Sequence, residues 1–348
     1  MPNSTVPNLS VAIMTDETGW HTRQLQAALR ARGCVGRCID LADCHIDTTA
    51  TWHGLVIPGF GRSLPDAVLV RGIAAGSFEQ VTKRLGVLHA LRELGVPVYN
   101  DARAIERSVD KSMTSLLLHA ARIGTPPTWA TESLAQAQRI TMREAAAGHT
   151  LVLKPLFGSQ GKGLQLVGQV DGVYSPLAPF DKTCGGLAYL QRFVPPVTTP
   201  GFDWRVLVIG GRAVTAMRRV SAHWIHNVAL GASCEPAELT AELAQQAEGA
   251  ARALDMDYAG VDLMPSALSA LGSKSGGKRG GEGGGEGCGI TVIEVNGVAA
   301  WQGLQRVTRF NIARAIVDDL LDRKLALIHD GVHAGTRAGS PASLPRRA

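Results

Sequence analysis

The sequence predicts an α/β chain, in which a small parallel sheet with helices on its faces precedes a larger α+β region built on hairpins. Three observations predict it. Short apolar runs alternate with helix-period segments between residues 9 and 99. Two β-rich runs, Leu151-Val152-Leu153 and Leu164 to Val167, flank the glycine-rich loop 158–163. Two further apolar runs within 203–220 are joined through Gly210-Gly211.

At 348 residues the chain is long enough to bury a large core in two or three structural units, and 45% hydrophobic residues fit a globular protein. No apolar run approaches the length of a membrane span, and Met1 to Ser10 lacks a charged segment followed by an apolar one. The expectation is a cytoplasmic protein with no membrane partner. A net charge of +5 favours anionic ligands, but Arg337 to Arg347 and Lys274, Lys278 and Arg279 carry part of the excess. Aromatics are only 5% of the chain and are not interleaved with the basic residues, which argues against nucleic acid as a partner. The six cysteines are scattered, and Cys34, Cys38 and Cys44 have no second pair at zinc spacing, so reduced thiols are expected.

Residues 9–14 read as a strand, followed by a loop, a helix over Gln24 to Ala31 and a stop at Gly33. Strands are expected at Val35 to Leu41, Gly54 to Ile57, Ala67 to Val70 and Pro97 to Tyr99, with a helix from Phe78 to Leu94. Arg71-Gly72 follows a strand, where open α/β sheets place ligand contacts, and a solvated arginine is the other, favoured reading. Ser108 is the expected N-cap of a helix that stops at Gly124 and turns Met113, Leu116, Leu117 and Ala120 to one face. Lys111 falls in its first turn, away from the end that the helix dipole would favour for a cation.

The glycines of Gly158-Ser159-Gln160-Gly161-Lys162-Gly163 allow backbone N–H groups to turn toward an anion, and Lys154 ends the preceding strand. The loop is no Walker motif, since Gly163 stands where Ser or Thr would hold magnesium. The residues alone fit both a phosphate-covering hairpin and a flexible surface hairpin. Leu187 to Val194 reads as a strand, and the hairpin within 203–220 carries Arg205 near one end and Arg218-Arg219 near the other. Guanidinium pairs bidentately with carboxylate or phosphate, so this end can clamp either; solvated arginines are the other reading. Trp224 to Ala232 reads as a substrate loop, and Glu238 to Leu254 as a helix. Strands at Gly260 to Met264 and Ile290 to Val295 flank a low-complexity insertion, 266–289, read as an elongated, mobile hairpin turn. Alternation puts Glu294 and Asn296 on one face, and pairing of the two strands brings Asp262 near them. Three hard oxygen donors suit Mg²⁺, though polar strand-end residues make the same pattern. A closing amphipathic helix, Phe310 to His329, and a disordered basic tail complete the chain.

In this order the motifs resemble the ATP-grasp superfamily, and within it the RimK-like α-L-glutamate ligases. The motifs are Ser108-Val-Asp-Lys111, Ile123-Gly-Thr-Pro126, Val152-Leu-Lys154-Pro to Gly163, Gln191-Arg-Phe-Val194, Asp203-Trp-Arg205 to Gly211, Ala216-Met-Arg-Arg219, Ala259-Gly-Val-Asp262-Leu and Glu294-Val-Asn296. The resemblance implies an ATP-grasp fold, with a pre-ATP-grasp α/β domain over 9–107 and ATP bound between two α+β subdomains, 108–190 and 191–330, ahead of a tail at 332–348. It implies that Lys111 and Lys154 contact the phosphates of ATP under a lid containing Gly158, Ser159, Gln160, Gly161 and Gly163. Gln191, Arg192, Phe193 and Val194 are implied on the adenine side, with strand amides reading the base edge. Asp262, Glu294 and Asn296 are implied to hold Mg²⁺, with Mn²⁺ as an alternative. Arg205 and Arg219 are implied to bind the carboxylate being activated, and Asn227 to serve the substrate loop.

The resemblance further implies amide formation between L-glutamate and an acceptor through an acyl phosphate, which needs no protein nucleophile. After Glu294-Val-Asn296 the chain reads Gly297-Val-Ala-Ala-Trp301-Gln-Gly303-Leu, without the Pro-Gly common in these ligases. The Trp followed by Gly-Leu is more similar to relatives that add glutamate to pterin-type cofactors. A pterin cofactor is therefore the implied acceptor, with a protein or peptide acceptor and a non-catalytic nucleotide-binding scaffold as alternatives. The sequence leaves a homo-oligomer open.

Overall fold

The computed structural model describes residues 9–158, 161–180, 184–266 and 289–326. It divides into two compact units, one containing the residues up to Ala102 together with those from Ile312, the other Arg103 to Asn311.

The first unit opens with β1 (Ser10–Met14), α1 (Trp20–Ala31), β2 (Val35–Ile39), β3 (His45–Ile46), β4 (Leu55–Val56), β5 (Ala67–Val70), α2 (Phe78–Glu93) and β6 (Val98–Tyr99). Strands β2, β1, β5 and β6 form the expected parallel sheet in that order. Val11 to Met14 and Ala67 to Val70 are buried throughout, as sequences covered on both faces require. The strand expected at Gly54 to Ile57 does not join this sheet. Only Leu55 and Val56 are extended, and they pair with His45 and Ile46 in a separate antiparallel ribbon. Helix α2 begins at a capping box: the Gln80 amide donates to the Ser77 hydroxyl, and the Ser77 amide donates back to the Gln80 side chain.

The second unit contains α3 (Ala102–Val109), α4 (Lys111–Ala120), β7 (Thr128–Thr131), α5 (Leu134–Ala146), β8 (Thr150–Lys154), β9 (Gln165–Val170), β10 (Val173–Ser175) and β11 (Ala188–Arg192). It continues with β12 (Gly201–Ile209), β13 (Arg212–Ser221), β14 (Ser233–Ala237), α6 (Ala241–Ala253), β15 (Tyr258–Ser266), β16 (Gly289–Asn296) and α7 (Gln302–Val307). Two five-stranded antiparallel sheets result, in the orders β10-β9-β8-β11-β7 and β14-β13-β12-β15-β16. Ala137 and Ile140 of α5 pack with Leu151, Leu153 and Leu190 of the first sheet. Leu243, Ala247 and Ala250 of α6 pack with Val206, Val261 and Val292 of the second. Ser266 pairs with Gly289, so the flanks of the glycine-rich insertion are the expected hairpin; residues 267–288 lie outside the described residues.

Helix α4 differs from expectation in two respects. Asp110, not Ser108, is its N-cap: its Oδ1 accepts from the amides of Ser112 (2.8 Å) and Met113 (3.0 Å), while Ser108 belongs to the preceding helix. Its buried face carries Thr114, Ser115 and Leu118, and Met113 and Leu116 are exposed. The Thr114 hydroxyl donates to the Arg107 carbonyl (2.8 Å), and the hydroxyls of Ser115 and Tyr189 share a hydrogen bond of 2.8 Å. A buried polar face satisfied in this way leaves no trace in apolar periodicity.

The long closing helix expected at Phe310 to His329 is instead α8 (Ile312–Asp318) followed by a π-helical turn, Asp319–Lys324. These elements belong to the first unit rather than to the subdomain expected to run to residue 330. Ile312, Ile316 and Val317 are buried and α8 packs on α1. Arg32 pairs with Asp318 and, at 2.6 Å, with Asp322, and the Tyr99 hydroxyl donates to Asp319 at 2.6 Å. The tail at 332–348 lies outside the described residues. No described helix is long and apolar enough to cross a membrane.

This packing makes a stability prediction. Ile316→Ala removes a buried side chain between α8 and the sheet unit and is expected to cost about 2–5 kcal/mol. Urea unfolding followed by circular dichroism checks it; an unchanged transition contradicts the assignment of α8 to the core of this unit.

Candidate active site

Gly210 and Gly211, at φ of 58° and 78°, form the two-residue turn joining β12 to β13, with both residues left-handed as a type I′ turn requires. The turn sets the register across the hairpin, apart from one bulge at Leu207/Val208, and Asp203 stands opposite Arg219. Pairing with β15 puts Asp262 opposite Arg205, and pairing of β15 with β16 puts Glu294 opposite Asp262 and Asn296 opposite Gly260. Since alternate residues share a face, Asp203, Arg205, Arg219, Asp262, Glu294 and Asn296 stand on one face of a single sheet.

Their contacts form a buried ionic network. Arg205 donates from Nε and Nη2 to the two oxygens of Asp262, both at 2.7 Å. Arg219 donates likewise to Asp203 at 2.7 and 2.6 Å, and its Nη2 lies 2.9 Å from Asp262 Oδ2. Asn296 Nδ2 lies 3.2 Å from the Gly260 carbonyl and 3.5 Å from Asp262 Oδ2. Burial pushes the Asp262 carboxyl up, but the guanidiniums of Arg205 and Arg219 outweigh it and hold the group below the usual carboxylate range. For Asp203, burial pushes the carboxyl up, against the two hydrogen bonds from Arg219 that favour its charged form.

The two lysines come from the other elements of this unit. Lys111, the first residue of α4, donates to the carbonyls of Leu156 (3.2 Å) and Gly158 (2.8 Å) and lies 4.0 Å from Glu294. It thereby ties α4 to the glycine-rich hairpin and to β16. Lys154, at the end of β8, donates to Gln191 Oε1 at 2.6 Å. Gly161 and Gly163 have φ of 71° and 75°, and a Cβ would meet Ile225 Cγ2 at 2.8 Å and Pro155 Cγ at 2.9 Å respectively. Both the backbone conformation and the close approach require glycine there. Ser159 and Gln160 lie outside the described residues.

Other expected residues have local employment. Arg192 pairs with Glu144 (2.6 Å), and its amide donates to Pro127 while the Phe193 amide donates to Thr150. Both of these amides are thus engaged within the unit. The Asn227 side chain accepts from the Ala229 amide (3.0 Å) and caps the short 3₁₀ turn Val228–Leu230; no described polar contact joins it to the arginine network. Val194 is buried at the end of the same segment.

Sequence reasoning missed the part played by Asp203, the pairing of Glu144 with Arg192 and the burial of His226. The Asp203-x-Arg205 spacing puts both side chains on one face of a strand, so period-two alternation was a usable signal for Asp203. Glu144 sits on a helix far from Arg192 in sequence and gives no such signal. His226 is buried, its Nε2 has no hydrogen-bond partner among the described residues, and burial, Arg219 and His223 lower its pKa to about 4.

Among the described residues no group of three or more His, Cys, Asp or Glu is arranged to hold a metal. The two carboxylates and one amide of Asp262, Glu294 and Asn296 nevertheless form a set of hard oxygen donors on adjacent strands, fitting a hard divalent cation.

Comparison with known proteins identifies a RimK PreATP-grasp domain over residues 9–105 and a RimK-like ATP-grasp domain over 108–272. Over 90% of its length the chain is 30% identical to the tetrahydromethanopterin:alpha-L-glutamate ligase of Methanosarcina acetivorans, covering 98% of that protein. It is 28% identical to a probable alpha-L-glutamate ligase 2 of Shewanella amazonensis, covering 86% of this chain and 90% of that one. The ATP-grasp ligase PsnB, solved with a minimal precursor, Mg and ADP, superposes with a TM-score of 0.61 at 19% identity, over 90% of this chain and 98% of that one. This last likeness is one of fold.

Burial of Lys154 lowers its pKa from 10.5 to about 8, and Glu294 and Asp262 only partly oppose the effect. Between about 8 and 10.5 the unfolded chain holds a proton that the folded chain has lost. Stability from this group therefore rises with pH across that window and is lowest below it. Denaturant titrations from pH 7 to pH 10 are expected to show the rise in the native chain and a flatter profile in Lys154→Met; identical slopes would count against a buried ammonium.

Proposed function

We propose, because the chain belongs to the RimK-like ATP-grasp family, that it joins L-glutamate to a pterin-type one-carbon cofactor through an amide bond. The chain is an ATP-dependent ligase forming carbon–nitrogen bonds. The observation that carries the pterin acceptor is the likeness to the tetrahydromethanopterin ligase, which extends over 98% of that protein.

The site chemistry supports this reading. Lys111 presents its ammonium group against the glycine-rich hairpin and Lys154 presents its own from the end of β8, a pair of cations suited to a phosphate chain. Arg205 and Arg219 present forked donors that match a carboxylate. A substrate carboxylate oxygen attacks the γ-phosphorus of ATP, the bond to ADP breaks, and an acyl phosphate forms. The lysines offset charge on the transferring phosphoryl group. The amine then attacks the acyl carbon, and the arginines stabilise the oxyanion of the tetrahedral adduct until phosphate leaves. Asp262, Glu294 and Asn296 would hold Mg²⁺ or Mn²⁺, which when bound neutralises phosphate charge. The leaving group is made good by phosphorylation, so the lack of an assigned nucleophile is no obstacle.

The test is phosphate release from Mg-ATP with L-glutamate and a panel of reduced pterins and peptides, followed by product mass. A glutamyl increment on a pterin is expected, with turnover falling roughly 10²–10³-fold in Arg205→Gln. An increment found on peptides alone transfers the activity to a peptide acceptor. Absence of ATP binding overturns the reading.

A further inference from the structure

Asp203 is the one carboxylate of the ionic network to which neither the metal set nor the substrate contacts give a role. It is 8% exposed, stands in register opposite Arg219, and receives two hydrogen bonds from it, 2.7 Å from Nε and 2.6 Å from Nη2. The same Nη2 reaches Asp262 at 2.9 Å, while both donors of Arg205 used here go to Asp262. Arg219 is therefore shared between two carboxylates, only one of which is a candidate cation ligand.

The network contains two carboxylates and two guanidiniums, so its formal charges cancel. A cation arriving at Asp262 by itself adds positive charge next to two guanidiniums, one buried and one largely shielded. A carboxylate arriving at the arginines by itself adds negative charge next to Asp262. Either event leaves buried charge uncompensated, which is strongly unfavourable. If both arrive, Asp262 exchanges its guanidiniums for the cation, the guanidiniums exchange Asp262 for the substrate, and every charge stays paired. The exchange keeps Arg219 in place only if another group holds it, and Asp203 already grips the fork at Nε and Nη2.

Resting on the ligase reading above, we propose that Asp203 is the positioning residue that keeps Arg219 in the site while Asp262 passes to the cation. Cation and substrate carboxylate consequently bind with positive coupling. By linkage each tightens the other by the same factor.

The test measures the affinity of Mn²⁺ in the presence of AMPPNP by calorimetry, with and without glutarate as a simple carboxylate probe, in the native chain, Asp203→Asn and Arg219→Lys. Glutarate is expected to tighten Mn²⁺ binding in the native chain, within the roughly 5- to 150-fold range of measured couplings. Asp203→Asn leaves the guanidiniums in excess and is expected both to weaken Mn²⁺ binding without glutarate and to lose the glutarate effect, whereas a merely structural Asp203 would leave the ratio of the two affinities unchanged. Arg219→Lys keeps the charge without the fork and is expected to lose the coupling as well; it serves if Asp203→Asn does not fold. An absent glutarate effect in the native chain, or a full effect in the foldable variant, overturns the proposal while leaving the ligase reading intact. Failure of Mn²⁺ and AMPPNP to bind the native chain overturns both.

Discussion

The sheet β14-β13-β12-β15-β16 depends on the pairing of Arg205 and Arg219 with Asp262 and Asp203 inside a surface that water scarcely reaches. Two guanidiniums on adjacent strands would repel one another if unpaired, and two carboxylates would do the same. Set opposite one another by strand register, they become a neutral array with bidentate hydrogen bonds. Replacing one member leaves its partner buried and charged, typically a loss of about 3–5 kcal/mol. A well-packed apolar set would hold the strands equally well, so stability alone does not explain the array.

The cations outside the array are restrained by similar means. Lys111 is held by two carbonyls of the glycine-rich hairpin, and Lys154 by the Gln191 amide. Neither lysine has a carboxylate within salt-bridge distance except Lys111, which reaches Glu294 at 4.0 Å, among the described residues. Burial therefore lowers both pKa values. Neutral acceptors position these ammonium groups without neutralising them, which suits groups meant to meet an anion. The hairpin has its own constraint: Gly161 packs close to Ile225, so the glycine-rich hairpin touches the loop that follows β13.

In the first unit, the apolar strands β1 and β5 lie inside the parallel sheet, and α8 returns from the end of the described chain to pack on α1. Arg32 binds two aspartates of that returning segment, and Tyr99 a third. The chain thus completes its first unit last. A linear reading of domains assigns this segment to its sequence neighbours, since the pairs that bind it span more than 200 residues.

By itself the sequence determined the α/β opening, the hairpin turns, and the ordered motifs of the ATP-grasp family, because these are local: glycine conformations, period-two alternation and apolar runs lie within a few residues of one another. It also put Glu294 and Asn296 on one face and Arg205 near the open end of a hairpin. Only the tertiary structure decided which charges meet. Strand register set Asp203 against Arg219 and Asp262 against Arg205. Packing of helices on the sheets brought Glu144 to Arg192, exposed Met113 and Leu116 in favour of a hydrogen-bonded polar face, and drew α8 into the first unit. A charge at one position carries no record of its partner tens of residues away; the pairing exists only once β-strands distant in sequence lie side by side.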